Sequence, residues 1–319
     1  MVNFDVLKTR DEDEKGYLLE VDLIYPKYLH DLHADLPFCF ENIKPPRSKV
    51  SKLMATLNDK FNYVIHVRAL RQALEHGLIL KKIHNAIEFN QSAFIKPFIQ
   101  KNTEFRKSAQ SNFEKDMYKL MNNAIYGKFL ESVHKRKDVE IVTNQKRFKR
   151  LISDNFFEKA TIFDENLVAV HRFKKFFRYD RPNIVSQACL DIAKIKMFSF
   201  FYDFLKPMYG TDMTLAITDT DSLGIYLRGS RDFYSDLLKH SDMYDTSEYP
   251  SNHPAFNTIN KKVLGKFKDE FNSVPIEFFV GCRAKMYSIV TLEERHVIKK
   301  IKGIKKTTVK NCITPPRLY

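Results

Sequence analysis

Cysteine is scarce: Cys39, Cys189, Cys282 and Cys312 are the four in 319 residues, far apart and with no Cys-x-x-Cys pair. That spacing excludes a zinc knuckle or a disulfide framework and leaves four ordinary thiols. No run of about 18 apolar residues occurs, so no segment reads as a membrane span. The opening stretch MVNFDVLKTRDEDEKG is too acidic and polar for a signal or transit peptide. The expectation is an intracellular protein with no membrane partner. Internal repeats and low-complexity tracts are also lacking. What is present is 44% hydrophobic residues with 27 Phe and 15 Tyr, enough for a substantial core in two or three subdomains. Lys and Arg total 53 against 39 Asp and Glu, a net +14 with a pI near 9.4. Such an excess points to a polyanionic partner, nucleic acid before membrane.

Alternating apolar residues in YLLEVDLI (17–24), NYVIHV and IHNAIEF predict strands, with ALRQALEHG as a helix between the last two and Pro45 and Pro46 opening a basic loop. From about Gln91 to Phe129 the pattern is helical, with an apolar stripe at Phe113, Met117, Leu120, Met121 and Ala124. Residues 132–185 hold short strand-like pieces (VEIV, ATIF, LVAVHRF) between charged turns. A second helix, Val185 to Lys206, is expected to stop at Pro207 and Gly210, followed at once by the hairpin-like TLAITDTDSLGIYL.

Asp219 and Asp221 sit two apart between the apolar run Leu215–Ile217 and the strand Leu223 to Leu227, so a hairpin would carry both carboxylates to one side of its tip. Paired carboxylates repel unless a cation lies between them, and hard oxygens suit Mg²⁺, which takes one or two protein carboxylates plus substrate phosphates. An Asp-rich turn without metal fits the same residues. A calcium loop fits poorly, because Leu223 and Ile225 stand where further oxygen ligands belong. On the preceding helix Lys107, Lys115 and Lys119 form a row opposite the apolar stripe, with Asn123 and Tyr126 beyond and Tyr126-Gly127 read as the helix end. The row can hold a triphosphate or be a solvated face. His30, Asp31, His33 and Asp35 in HDLHADLP could ligate a transition metal, though a turn or short helix with surface polar groups explains them as well.

The ordered set K-x-x-x-N-x-x-Y-G (119–127), T-D-T-D-S (218–222) and K-x-Y (Lys285 to Tyr287) resembles motifs of the family B DNA-directed DNA polymerases. With VLGKFKDE, RAKMYS and IKGIKK around it, the chain looks like the protein-primed branch of phages and Polinton or Maverick-type mobile elements. The resemblance implies an α+β fold: a polymerase palm with an antiparallel sheet, helical fingers and a β-rich insertion. It divides the chain into a palm-associated α/β segment (1–90), fingers (91–131), insertion (132–185), palm (186–290) and the start of a thumb (291–319). It implies DNA synthesis from deoxynucleoside triphosphates on a DNA template and primer, with Mg²⁺ (Mn²⁺ as substitute) on Asp221 and, secondarily, Asp219. Lys119, aided by Lys115 and Lys107, would grip nucleotide phosphates, and Asn123 and Tyr126 would shape the base-pair pocket. Gly127 and Lys128 would follow the template. Arg283, Lys285 and Tyr287, alternating on one strand, would face the primer with Lys302, and the resemblance to this branch adds a terminal protein primer as a candidate partner. The family's upstream aspartate motif has no match here: Asp22 in VDLIYP stands three residues before Tyr25 where the motif needs five, which makes Asp22 a strand-end residue. The expectation is a C-terminal fragment, either of an active polymerase or of a catalytically inactive remnant that binds nucleic acid.

Overall fold

The computed structural model describes residue 5 and residues 8–229, 232–292 and 297–312. Two compact units divide the chain, Met1–Phe94 with Leu190–Tyr319, and Ile95–Cys189. Among the described residues no helix is long and apolar enough to cross a membrane. Cys39, Cys189 and Cys282 are free thiols. The side chain of Cys312 and parts of the 291–319 segment lie outside the described residues.

The first unit opens with β1 (Lys15–Ile24), the short helix α1 (His30–His33) and the hairpin β2 (Glu41–Ile43) and β3 (Lys52–Met54). β4 (Lys60–His66), α2 (Val67–Glu75) and β5 (Ile79–Asn90) follow. β1 lies between β4 and β5, antiparallel to both. Alternation sends Leu19, Val21 and Leu23 into the core, where they are essentially inaccessible. Register shifts in both pairings fall around Asp22. Its carboxylate accepts the Asn62 N–H at 2.9 Å and faces His84 Nε2 at 2.9 Å, so it ties the bulged strand to both neighbours. The Asn62 hydrogen bond, then His84, holds the Asp22 pKa below its ordinary value. The β2–β3 hairpin is pinned by Lys60, whose fully buried ammonium donates to Glu41 Oε2 and Thr56 Oγ1, both at 2.6 Å, and to Thr56 O at 3.1 Å. All three of its donors are thereby used.

Among the described residues the HDLHADLP side chains do not gather into a metal-ligating group. His33 is buried, its Nδ1 2.8 Å from the Tyr25 hydroxyl and its ring 5.0 Å from that of Tyr202. His30 Nε2 lies 3.4 Å from the Tyr25 carbonyl, and Asp35 takes Lys206 at 3.3 Å.

In the second unit, α3 (Lys96–Ser108) and α4 (Asn112–Phe129) form a helical hairpin. β6 (Lys137–Val142), α5 (Gln145–Ile152), β7 (Phe157–Asp164) and β8 (Leu167–Phe173) follow, with antiparallel order β6-β8-β7. The charged stretch QKRFKRLI gives no strong strand or turn signal; capped by Asn144, it is α5 and packs Leu151 with Val142 and Val170 in a small separate core.

α6 (Asn183–Ser199) continues through a π-helical stretch, Phe200–Leu205, into α7 (Lys206–Tyr209). The helix therefore passes Pro207, where the sequence predicts a stop. In π register the Lys206 N–H bonds to Phe201 O, and Pro207 falls in the first turn of a new α-segment, where a missing N–H costs nothing. Gly210, at φ 54, ends it. Then come β9 (Met213–Thr218), β10 (Leu223–Leu227), α8 (Phe233–Lys239), β11 (Tyr244–Asp245) and β12 (Phe267–Lys268). β13 (Ile276–Arg283), β14 (Met286–Thr291), β15 (Val297–Ile301) and α9 (Lys306–Cys312) are the last of the described elements, with β13-β14-β15 an antiparallel sheet.

Burial lowers the His33 pKa from 6.5 to about 4. Between those values the unfolded chain binds a proton that the folded one refuses, so this contribution is complete above pH 6.5 and is lost as pH falls toward 4. Urea unfolding is expected to show stability falling by about 2–3 kcal/mol from pH 7.5 to pH 4 through this group. Imidazole NMR should place the His33 midpoint near 4, and a midpoint near 6.5 would contradict the burial account.

Candidate functional site

β9 and β10 pair antiparallel, Thr218 with Leu223 and Ile217 with Gly224, before the register shifts. Gly224 is required, since a Cβ there would stand 2.5 Å from Ile217 Cγ2. The four residues Asp219 to Ser222 make the turn. Asp219 N–H donates to Ser222 O at 3.1 Å, Asp221 N–H to Asp219 O at 2.7 Å, and Thr220 takes φ 62. Both carboxylates thus lie in the turn itself and not on a pleated strand, so strand alternation does not set their direction. Asp219 is half-buried and Asp221 is exposed.

Lys285 reaches this turn from 66 residues away: its Nζ donates to Asp219 Oδ1 at 2.7 Å. The Asp219 hydrogen bond and charge raise the Lys285 pKa above its ordinary value, and Tyr287 and Asp221 push the same way. Arg283, Lys285 and Tyr287 do not alternate on one strand. Arg283 ends β13 opposite Met286, Lys285 sits in the connecting turn at φ 58, and Tyr287 pairs with Gly281 on β14. A hairpin turn of Ala284 and Lys285, with no Gly, Asn or Pro, carries little turn signal in the sequence. Lys302 joins the same place through its backbone, its N–H donating to Lys285 O at 3.1 Å. Sequence reasoning passed over Lys300, whose Nζ stands 5.8 Å from the Tyr287 ring centre.

α4 begins at a capping box, Ser111 with Glu114. Its contacts with α3 run through Asn122 and Tyr118, with Asn102 Nδ2 donating to Asn122 Oδ1 at 3.0 Å and the Phe105 and Tyr118 rings 5.3 Å apart. The stripe Phe113, Met117, Leu120, Met121, Ala124 is exposed instead of packed, Phe113 at 77% and Leu120 at 67%. Lys115, Lys119, Asn123 and Tyr126 follow one another at helical spacing along a third edge. Lys107 does not continue that row, because it lies in the last turn of α3, across the break at residues 109–111. Lys128 pairs with Glu131 at 2.8 Å, and the Tyr126 carbonyl accepts the Ser186 hydroxyl at 2.7 Å.

Gly127 does not end the helix, which runs on to Phe129. A Cβ at Gly127 would meet nothing within 4 Å, so no intramolecular contact explains a residue that weakens a helix interior. Gly127→Ala is accordingly expected to stabilise the chain by about 0.5–1 kcal/mol in denaturant unfolding. A loss of stability would show a hidden steric demand.

Among the described residues no group of three or more His, Cys, Asp and Glu gathers to hold a metal. The donor set of Asp219 and Asp221 nevertheless fits a hard divalent cation that completes its shell with water and phosphate oxygens, and Asp219 already carries a cationic group, the Lys285 ammonium.

No curated protein and no solved structure matches the chain. The family model for DNA polymerase type B, organellar and viral, matches residues 4–204. That span takes in α4 and ends before Asp219, so the contact between the two turns is an observation separate from the match. The family's activity is DNA-directed DNA synthesis, with DNA and nucleotides as substrates. A match over well more than half of the chain, on a mixed α+β fold, makes this protein a member of the organellar and viral type B DNA polymerases.

Proposed function

We propose that this chain extends a DNA primer on a DNA template from deoxynucleoside triphosphates, with the Asp219–Ser222 turn as its catalytic centre. The observation that carries the reading is the Lys285 ammonium on Asp219, which joins T-D-T-D-S to the lysine of K-x-Y at one point in space. Asp221 serves as the principal ligand and Asp219 as the auxiliary ligand for Mg²⁺, or Mn²⁺ in its place. The bound ions supply activation of the primer 3′-hydroxyl and charge stabilisation at the transferring phosphoryl group. Lys285, Arg283, Tyr287 and Lys302 hold the primer end beside the carboxylates. Lys119 and Lys115, with Lys107 from the neighbouring helix, bind nucleotide phosphates as point charges. Asn123 and Tyr126 contact sugar and base, and the open side of Gly127, with Lys128, lets the template approach the α4 backbone.

In this reading residues 1–90 and 186–290 belong to the palm, 91–131 to the fingers, 132–185 to an insertion and 291–319 to the start of a thumb. The separate unit Ile95–Cys189 supports grouping fingers with insertion. Priming from a terminal protein and an origin in a mobile element belong to the same reading.

A second reading, a remnant that binds nucleic acid without chemistry, draws on one observation. No third carboxylate joins Asp219 and Asp221 among the described residues, and Asp22 is engaged by Asn62 and His84. Primer extension with Mg²⁺ separates the two. Extension that Asp221→Asn reduces by about 100-fold or more, with salt-sensitive DNA binding intact, is the expected result. Binding without extension by the unaltered chain selects the remnant, and extension untouched by Asp221→Asn overturns the catalytic assignment.

A further inference from the structure

The roles above leave the three-stranded sheet of the second unit unused, yet Ser132 to Pro182 holds thirteen Lys and Arg against seven Asp and Glu. Several of those acids already have partners. Glu158 pairs with Lys137 at 2.9 Å, Glu140 with Arg147 at 2.7 Å, and Asp154 with Arg172 at 3.4 Å. The surplus positive charge is therefore not neutralised within the module.

The segment joining β8 to α6 interleaves cations with aromatic rings: Lys174, Lys175, Phe176, Phe177, Arg178, Tyr179. It is neither helix nor strand, and side chains anchor it. The Phe177 ring lies 4.9 Å from that of His134, and the Tyr179 hydroxyl is hydrogen-bonded to His134 Nε2. Lys175 stands 5.0 Å from the Phe156 ring centre. Phe176 has no such role. It is 89% exposed, and Tyr179, though anchored by its hydroxyl, leaves 73% of its surface open. Lys174 and Arg178 flank Phe176 two residues to either side, and neither has a carboxylate partner among the described residues.

We propose that residues 174–179 are a binding strip for single-stranded nucleic acid, with unpaired bases stacking on Phe176 and Tyr179 and phosphates meeting Lys174 and Arg178. An aromatic face accepts any base and is worth most to a strand whose bases are not already paired, while the cations follow its backbone. A duplex offers this strip phosphates alone. The inference stands independently of the catalytic reading, since neither Asp219 nor Asp221 takes part.

The test is fluorescence anisotropy of the full chain with labelled oligothymidylate and with a duplex of equal length, combined with photocrosslinking to oligonucleotides carrying 5-iodouracil. Phe176 is too exposed for its replacement to unfold the chain, and circular dichroism checks this. Phe176→Ala and Phe176→Leu are expected to weaken single-strand binding by about tenfold and duplex binding by less than about twofold, with Phe176→Trp retaining affinity. Lys174→Gln with Arg178→Gln should reduce the salt slope for the single strand by about 1.4. Crosslinks should map to Phe176 or Tyr179 and persist in Asp221→Asn. Equal affinity for Phe176→Leu and the unaltered chain, equal losses for single strand and duplex, or crosslinks confined to other segments would each overturn the proposal.

Discussion

The helical stretch from Met197 to Tyr209 is the physical support on which the Asp219 turn depends. Phe201 and Leu205 are essentially inaccessible and share one core with Leu19, Val21 and Leu70 of the β1 sheet and α2. Polar contacts tie the stretch and the turn before it to α2 and to the loop after α1: Gln72 Nε2 donates to Ile195 O at 3.0 Å and Ser199 Oγ at 2.9 Å, and the Tyr202 hydroxyl donates to Leu36 O at 2.6 Å. Phe200 stacks on Phe267 at 3.6 Å, which brings the β11–β12 region to the same core. Because α7 ends at Gly210 and β9 starts at Met213, the direction of the helix sets where the carboxylates emerge. A loosely packed helix would leave the turn unaimed, whatever its own hydrogen bonds.

Against that support the proposed chemistry sits on turns. The Asp219–Ser222 turn and the Ala284–Lys285 turn meet through one ammonium and one carboxylate, both partly exposed. Exposed pairs contribute little to stability, so the contact is poorly explained as a structural fastening. It places a positive charge beside two negative ones, where a divalent cation would compete with the ammonium for the carboxylate oxygens and a phosphate would compete with the carboxylate for the ammonium. That arrangement suits a centre whose charges are redistributed as substrate arrives.

The parts most legible in the sequence were those where one local pattern had one interpretation. YLLEVDLI, NYVIHV and IHNAIEF alternate with period two and are β1, β4 and β5; the apolar runs around Asp219 and Asp221 bracket a turn and form β9 and β10. α4 was legible as a helix and illegible as a surface. Two stripes share its 3.6-residue period, and the one that packs against α3 is held partly by the polar Asn122 with Asn102, which hydrophobicity does not reveal. Nor could the meeting of Lys285 with Asp219 be read from spacing, since it depends on a turn made without turn-forming residues and on the packing of distant strands. The passage through Pro207 was hidden because a π turn has no composition of its own.

The central claim is that the two turns form one centre, in which a cation held by Asp219 and Asp221 lies beside the Lys285 turn. Iron(II) placed in that centre, with ascorbate, generates oxidants that cut the backbone within a few ångströms of the ion, and mass spectrometry locates the cuts. The account predicts cleavage at residues 218–222 and at 284–286 together, suppressed by excess Mg²⁺. Cleavage at one turn without the other, cleavage elsewhere, or cuts indifferent to Mg²⁺ would contradict it.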